Sequence, residues 1–304
     1  MDLGNSFRVR DARNLGVGRG ALRSVHLAAP FHGVRSIVEP LDVQERARAY
    51  SVKMRSDAAF TGVTAARMWG APLPAGIPND VLEVATPHGS PRPLGRGVHG
   101  TQHEPGSVDV IEVDGLRLLA PASMWVALGR VLTVPDLVAV GDFLVTRGFG
   151  DPRPALCNVE ELRRTLELSR RLGAARLRGA LDLVQVGALS RPESLARVLF
   201  TTAGLPPAAS NLRVSSLLMF DLAWPEWRVG FDYHGEHHRS ATQHARDVGR
   251  LDLARQDGWT LVQATKYDLF DHPFDLIGRL RSRLVERGCV VRPVHPSKVA
   301  RLNP

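Results

Sequence analysis

Two aspartates interrupt apolar, strand-like runs in the segment SSLLMFDLAWPEWRVGFDYHGEHHRS, residues 215–240. An acid inside an apolar strand is costly unless it is paired or bound to a metal, so these two positions restrict what the C-terminal third can become. The runs Ser216–Ala223 and Arg228–Tyr233 flank Trp224-Pro225-Glu226-Trp227, which reads as a hairpin turn. Asp221 then closes the first strand, and Asp232 lies on the second. The period of two in a strand puts Asp232 and His234 on one face. An acid at a strand end, followed by an acid and a proton carrier two residues apart on the neighbouring strand, supplies hard oxygen ligands suited to Mg²⁺ or Mn²⁺. A cation held there polarises a phosphodiester and activates water.

The surrounding residues extend the pattern. In order they are Ser190-Arg191-Pro192-Glu193-Ser194, Gly204-Leu205-Pro206 and Asp221-Leu222-Ala223, then Asp232-Tyr233-His234-Gly235-Glu236-His237-His238-Arg239, Arg246-Asp247-Val248-Gly249-Arg250 and Gly258-Trp259. Residues 193–291 thereby resemble the very-short-patch-repair (Vsr)-like endonucleases. The resemblance implies a restriction-endonuclease-like α/β/α sandwich with Asp221 and Asp232 as metal ligands and His234 in place of the usual lysine. It further implies that His238 steadies the attacking water or the leaving phosphate, that Glu193 reaches the cation through water, and that Arg239, Arg246 and Arg250 hold DNA. Three departures stand against full agreement: Asp232 where glutamate is commoner, His234 for Lys or Asp, and Gln263 where many relatives carry Arg. Lys266 follows that last strand as a displaced lysine or a surface cation. Ser190-x-x-Glu193 is also the spacing of a helix capping box, which gives Glu193 a purely structural use. The cluster His234, His237, His238 and His244 lacks the HExxH order and any CxxC pair, which disfavours zinc.

The chain of 304 residues carries a net charge of +8, and the excess lies at its two ends. Residues 1–36 hold six arginines against two aspartates, and residues 190–304 hold sixteen basic against twelve acidic groups. Such excess favours polyanions through counterion release. Residues 7–38 read as two short helices around Gly16 followed by a strand, with Val9, Ala12, Leu15 and Leu22, Val25 as buried stripes. On that reading Arg19 and Arg23 project together from the second helix. A small basic unit of this shape suits a winged helix-turn-helix or an ordinary helical hairpin.

Helices are expected again within 42–70, strands from Pro72 to Pro121 with a hairpin at Val113-Asp114-Gly115-Leu116, and helices over 122–186. Together with the phrase AAFTGVTAARMWGAPLP, this order resembles actinobacterial proteins grouped with the AbiEi-type antitoxins. That resemblance implies a DNA-binding repressor of its own operon with a cognate toxin as partner.

The expected fold is therefore α/β (α+β) in three parts: a winged-helix-like unit over 1–40, a mixed α/β segment over 41–188, and the nuclease-like domain over 189–304. Composition narrows the context. The chain has no apolar run long enough to span a bilayer and no apolar signal core at its N-terminus, so a cytoplasmic protein without membrane contact is expected. Cys157 and Cys289, far apart, suit a reducing compartment. No P-loop, dinucleotide fingerprint or GxSxG elbow is present. Two function classes stay open: a Mg²⁺-dependent DNA endonuclease, and an AbiEi-like antitoxin or repressor whose nuclease-like domain is inactive.

Overall fold

The computed structural model describes residues 4–148, 152–168, 173–216, 218–235, 252–292 and 294–304. Helices and mixed sheets make it an α+β protein. Its contacts divide it into two compact units: Met1–Val131 with Glu160–Ala174, and Leu132–Val159 with Ala175–Pro304.

The first unit opens with a small antiparallel pair, β1 (Ser6–Arg8) and β2 (Val34–Ser36), which frames helix α1 (Val9–Asn14). Phe7, Ala12 and Leu22 form its core. The second helix expected here is not formed. Residues Ala21–Arg23 make a single 3-10 turn, Arg19 lies in the turn before it, and both arginines are exposed. Glycines at 16, 18 and 20 explain the difference, since each lowers helix propensity by about 1 kcal/mol and Gly16 adopts a left-handed φ of 88°. Leu15 and Val25, expected in the stripes, are exposed as a result.

The remainder of this unit is a six-stranded sheet. Its elements are α2 (Val43–Ser51), β3 (Ala59–Phe60), α3 (Gly62–Met68), β4 (Leu82–Pro87), β5 (Leu94–Gly95), β6 (Val98–His103), β7 (Val110–Val113), β8 (Leu116–Leu119) and α4 (Pro121–Leu128). The strand order is β5-β6-β4-β3-β8-β7, with β4/β6 and β3/β8 parallel. The hairpin between β7 and β8 turns through Asp114 (φ 50°) and Gly115 (φ 74°), as a two-residue turn with both centres left-handed requires. Gly62 has a specific reason: its φ is 51°, and a Cβ there would lie 1.8 Å from Glu83 Oε2. That carboxylate accepts the Val63 N–H at 2.6 Å. Helix α6 (Val159–Leu168) follows in sequence, most of it in this unit.

The second unit contains α5 (Val134–Val145), α7 (Ala174–Leu181), α8 (Arg191–Thr202), β9 (Ala209–Arg213), β10 (Met219–Trp224), β11 (Val229–His234), β12 (Thr260–Thr265) and α9 (Pro273–Glu286). Helix α5 packs on α8, and this compact unit takes in 132–159 and 175–188 together with the 189–304 segment. The sheet order is β12-β11-β10-β9. Strands β9, β10 and β11 are antiparallel in sequence, while β12 returns parallel to β11.

One face of this sheet carries Leu222, Trp224, Val229, Phe231, Val262 and Ala264, and they pack with Leu199 and Phe200 of α8 and Leu276 and Leu280 of α9. Phe200 meets Phe231 edge-on with centroids 5.0 Å apart, a geometry aromatic rings favour. On the opposite face Phe220, Ala223, Trp259 and Ala254 form a second cluster, Ala254 belonging to a helical stretch over 252–256. Helical residues therefore lie against both faces.

A carboxylate pair on the C-terminal sheet

The hairpin that presents the two aspartates forms for local reasons. Pro225 starts a 3-10 turn over Pro225–Trp227, and Arg228 closes it with a left-handed φ of 51°. Trp224 anchors the hairpin, buried, with its indole N–H donating to Pro206 O at 2.7 Å. Gly230 is needed beneath Phe220, because a Cβ there would stand 2.8 Å from the ring.

Pairing of β10 with β11 runs through Leu222↔Phe231, Ala223↔Gly230 and Trp224↔Val229. Continued one step, this register sets Asp221 opposite Asp232. At that step side chains take over from the ladder. Asp232 Oδ1 accepts the Asp221 N–H at 3.2 Å, and Asp221 Oδ2 accepts the Tyr233 N–H at 2.7 Å. Asp232 is 3% exposed and Asp221 half-buried.

Alternation and register gather the polar residues of this face. Asp232 pairs with Gln263, and His234 with Thr265, in the parallel β11/β12 ladder. His234 Nε2 and Gln263 Nε2 are both enclosed and have no hydrogen-bond partner among the described residues. Enclosed polar atoms without partners are rare in folded proteins and call for a reason. Beyond the end of β12, Asp268 Oδ2 accepts from Thr265 N (2.8 Å) and Thr265 Oγ1 (2.7 Å), and Arg279 donates to Asp268 Oδ1. Burial pushes the Asp268 carboxyl up, but these donors outweigh it and hold it below the ordinary aspartate range. Sequence reasoning missed Asp268; the T-x-x-D spacing at the strand end was its only local signal.

The other residues singled out from sequence are distributed as follows. Glu193 is engaged at the start of α8: its carboxylate accepts from Leu189 N (2.9 Å), Ser190 Oγ (2.7 Å) and Asn211 Nδ2 (2.7 Å). Ser190 is the N-cap and its Oγ accepts the Glu193 N–H at 3.4 Å, while Glu193 reaches back to the N–H of the residue before the cap, a shifted form of the box that S-x-x-E spacing encodes. Lys266 is exposed just past β12. His238, Arg239, Arg246 and Arg250 lie outside the described residues. Arg19 and Arg23 belong to the first unit, on the exposed turn already described.

Among the described residues no group of three His, Cys, Asp or Glu side chains is placed to hold a metal ion. No helix among them is long and apolar enough to cross a membrane. No protein-family model, no curated protein and no solved structure matches the chain.

Proposed function

We propose that the C-terminal unit is a metal-dependent DNA endonuclease of the Vsr-like PD-(D/E)xK type. The observation that carries this reading is the interlocked pair Asp221 and Asp232 on adjacent strands, sharing a face with the unpartnered Nε2 of His234. The donor chemistry fits a hard divalent cation: two carboxylates would hold it, and the remaining ligands would be water and substrate oxygens, as Mg²⁺ prefers. When bound, such a cation neutralises charge on the scissile phosphodiester and acidifies water. His234 contributes an imidazole nitrogen with no hydrogen-bond partner among the described residues, available to accept a proton or a hydrogen bond from the attacking water. Gln263 Nε2 adds a neutral donor beside Asp232, fitted to orient a phosphate oxygen. His238 and the arginines at 239, 246 and 250 retain the roles that the family resemblance implies.

The test is Mn²⁺ binding followed by electron paramagnetic resonance. The reading expects a bound-ion signal in the wild type that is lost in Asp232→Asn. Equal Mn²⁺ uptake by both proteins contradicts it.

A second reading has its own support. The described residues put no lysine on this face, and Gln263 is uncharged. An AbiEi-like antitoxin or repressor, with a nuclease-like sheet used for DNA or toxin contact, needs neither charge. Under that reading Mg²⁺ has no part, and DNA is bound without being cut.

A further inference from the structure

In the first unit, the junction of β1 and α1, the turn at His32–Gly33 and the residues just after α2 enclose an open cavity of about 680 Å³. Arg8, Arg10, Arg13, Asn14, His32 and Lys53 line it, and no carboxylate among the described residues does. The cations differ from structural ones. Arg35, in the same segment, spends its donors internally, with Nε on Leu22 O and Nη1 on Val34 O, each at 2.8 Å. Arg8 Nε, in contrast, is enclosed and has no hydrogen-bond partner among the described residues. Among the described residues, Arg10 pairs only with its exposed neighbour Asp11, at 3.6 Å.

Lys53 is fixed rather than waving in solvent. Its Nζ donates to His32 O at 3.0 Å and stands 5.2 Å from the centroid of the Tyr50 ring and 5.9 Å from that of Phe31. Burial, and then repulsion from Arg8, lower its affinity for a proton. Gathering like charges around one opening costs energy that a bound anion returns.

We infer that this cavity is a phosphate-docking site that seats the backbone of a nucleic-acid strand. The inference rests on the nucleic-acid part of the reading above and not on cleavage. Cations drawn from two chain segments, with His32 from a third, around an open cavity suit successive phosphates of a strand better than a single enclosed ion. The contacts are to backbone and carry no sequence information. They also differ from Arg19 and Arg23, the pair that sequence alone suggested.

The experiment is fluorescence anisotropy of a labelled DNA duplex with the full chain, in EDTA so that no cleavage enters, over a series of salt concentrations. The variants are Arg10→Gln/Arg13→Gln, both exposed on α1, with Arg292→Gln/Arg301→Gln as a control of equal charge change. Each lost phosphate contact makes the log–log salt slope shallower by about 0.9, so the cavity variant should bind about tenfold more weakly at moderate salt with a slope reduced by about two. The control should keep the wild-type slope. Circular dichroism melting of both variants confirms that folding is intact, and Lys53→Gln gives a third substitution with the same expected direction. Unchanged affinity and slope in the cavity variant overturn the inference, as does equal weakening in the control. A third arm measures protection of the protein against melting by pyrophosphate. If the cavity variant loses that protection but binds duplex as the wild type does, the site takes small anions and the nucleic-acid inference fails.

Discussion

Asp221 and Asp232 each bind the other's strand: Asp232 Oδ1 takes the Asp221 N–H at 3.2 Å, and Asp221 Oδ2 takes the Tyr233 N–H at 2.7 Å. The pair is thus structural as well as a candidate ligand set, and the two roles respond differently to substitution. Asparagine keeps an oxygen acceptor for the Tyr233 N–H and removes the charge. Alanine leaves that donor without its acceptor, a loss of about 1–3 kcal/mol. Chemical denaturation should show Asp221→Asn close to wild type in stability and Asp221→Ala clearly below it. The asparagine variant is therefore the clean probe of chemistry. If alanine proves as stable as asparagine, the interlock contributes nothing to folding.

A second buried contact holds α5 against α8. Arg197 donates to Asp142 Oδ2 at 2.6 Å and to Leu183 O at 2.7 Å, while Asp142 Oδ1 accepts from Gln185 N at 2.8 Å. Both side chains are buried. Removing one partner strands a charge, so Arg197→Met should cost about 3–5 kcal/mol, and the double variant Arg197→Met/Asp142→Leu should recover part of it. Burial is the largest influence on the Asp142 carboxyl and pushes it up. Without Arg197 the folded-state value rises further above the unfolded one. The folded variant then holds its proton more tightly, so its stability is greatest at low pH and falls as pH rises through that raised value. Urea midpoints against pH measure this; a deficit that grows on acidification would contradict it.

Asp57 behaves in the opposite sense. Hydrogen bonds from Arg55 and Ser90 hold its carboxyl at about 2, below the ordinary aspartate range. A depressed folded value means that the contribution to stability is present above the unfolded value near pH 4 and disappears as pH falls through about 2. Titration by carbonyl-carbon NMR should find Asp57 among the last carboxylates to protonate, and Arg55→Gln should raise its midpoint. An unchanged midpoint in that variant contradicts the assigned cause.

The legible parts of this fold are those written in short-range chemistry. The β10/β11 hairpin follows from alternating apolar residues around Trp224–Trp227, and the β7/β8 turn from Asp114-Gly115. The cap of α8 follows from Ser190 and Glu193. Three features were not legible for identifiable reasons. The arginines at 19 and 23 look helical by spacing, but three alternate glycines leave only a 3-10 turn. Strand β9 has little apolar alternation, because Asn211 sits in the middle at φ 49° and spends its amide on Gly187 O and Glu193. The membership of α5 in the C-terminal unit rests on contacts distant in sequence, such as Asp142–Arg197 and Asp136–Arg191, each joining residues 55 apart. At the candidate site, the shared face of Asp221, Asp232 and His234 follows from strand periodicity. The interlock through main-chain N–H groups does not, since it arises only where side chains replace the ladder.

Nicking of supercoiled plasmid by the full chain in Mg²⁺ or Mn²⁺, wild type beside Asp221→Asn, tests the central claim most directly. The endonuclease account predicts metal-dependent conversion to open circles by the wild type, stopped by EDTA and absent in the variant. Plasmid that is bound but left intact by the wild type, or cut equally by Asp221→Asn, would contradict it.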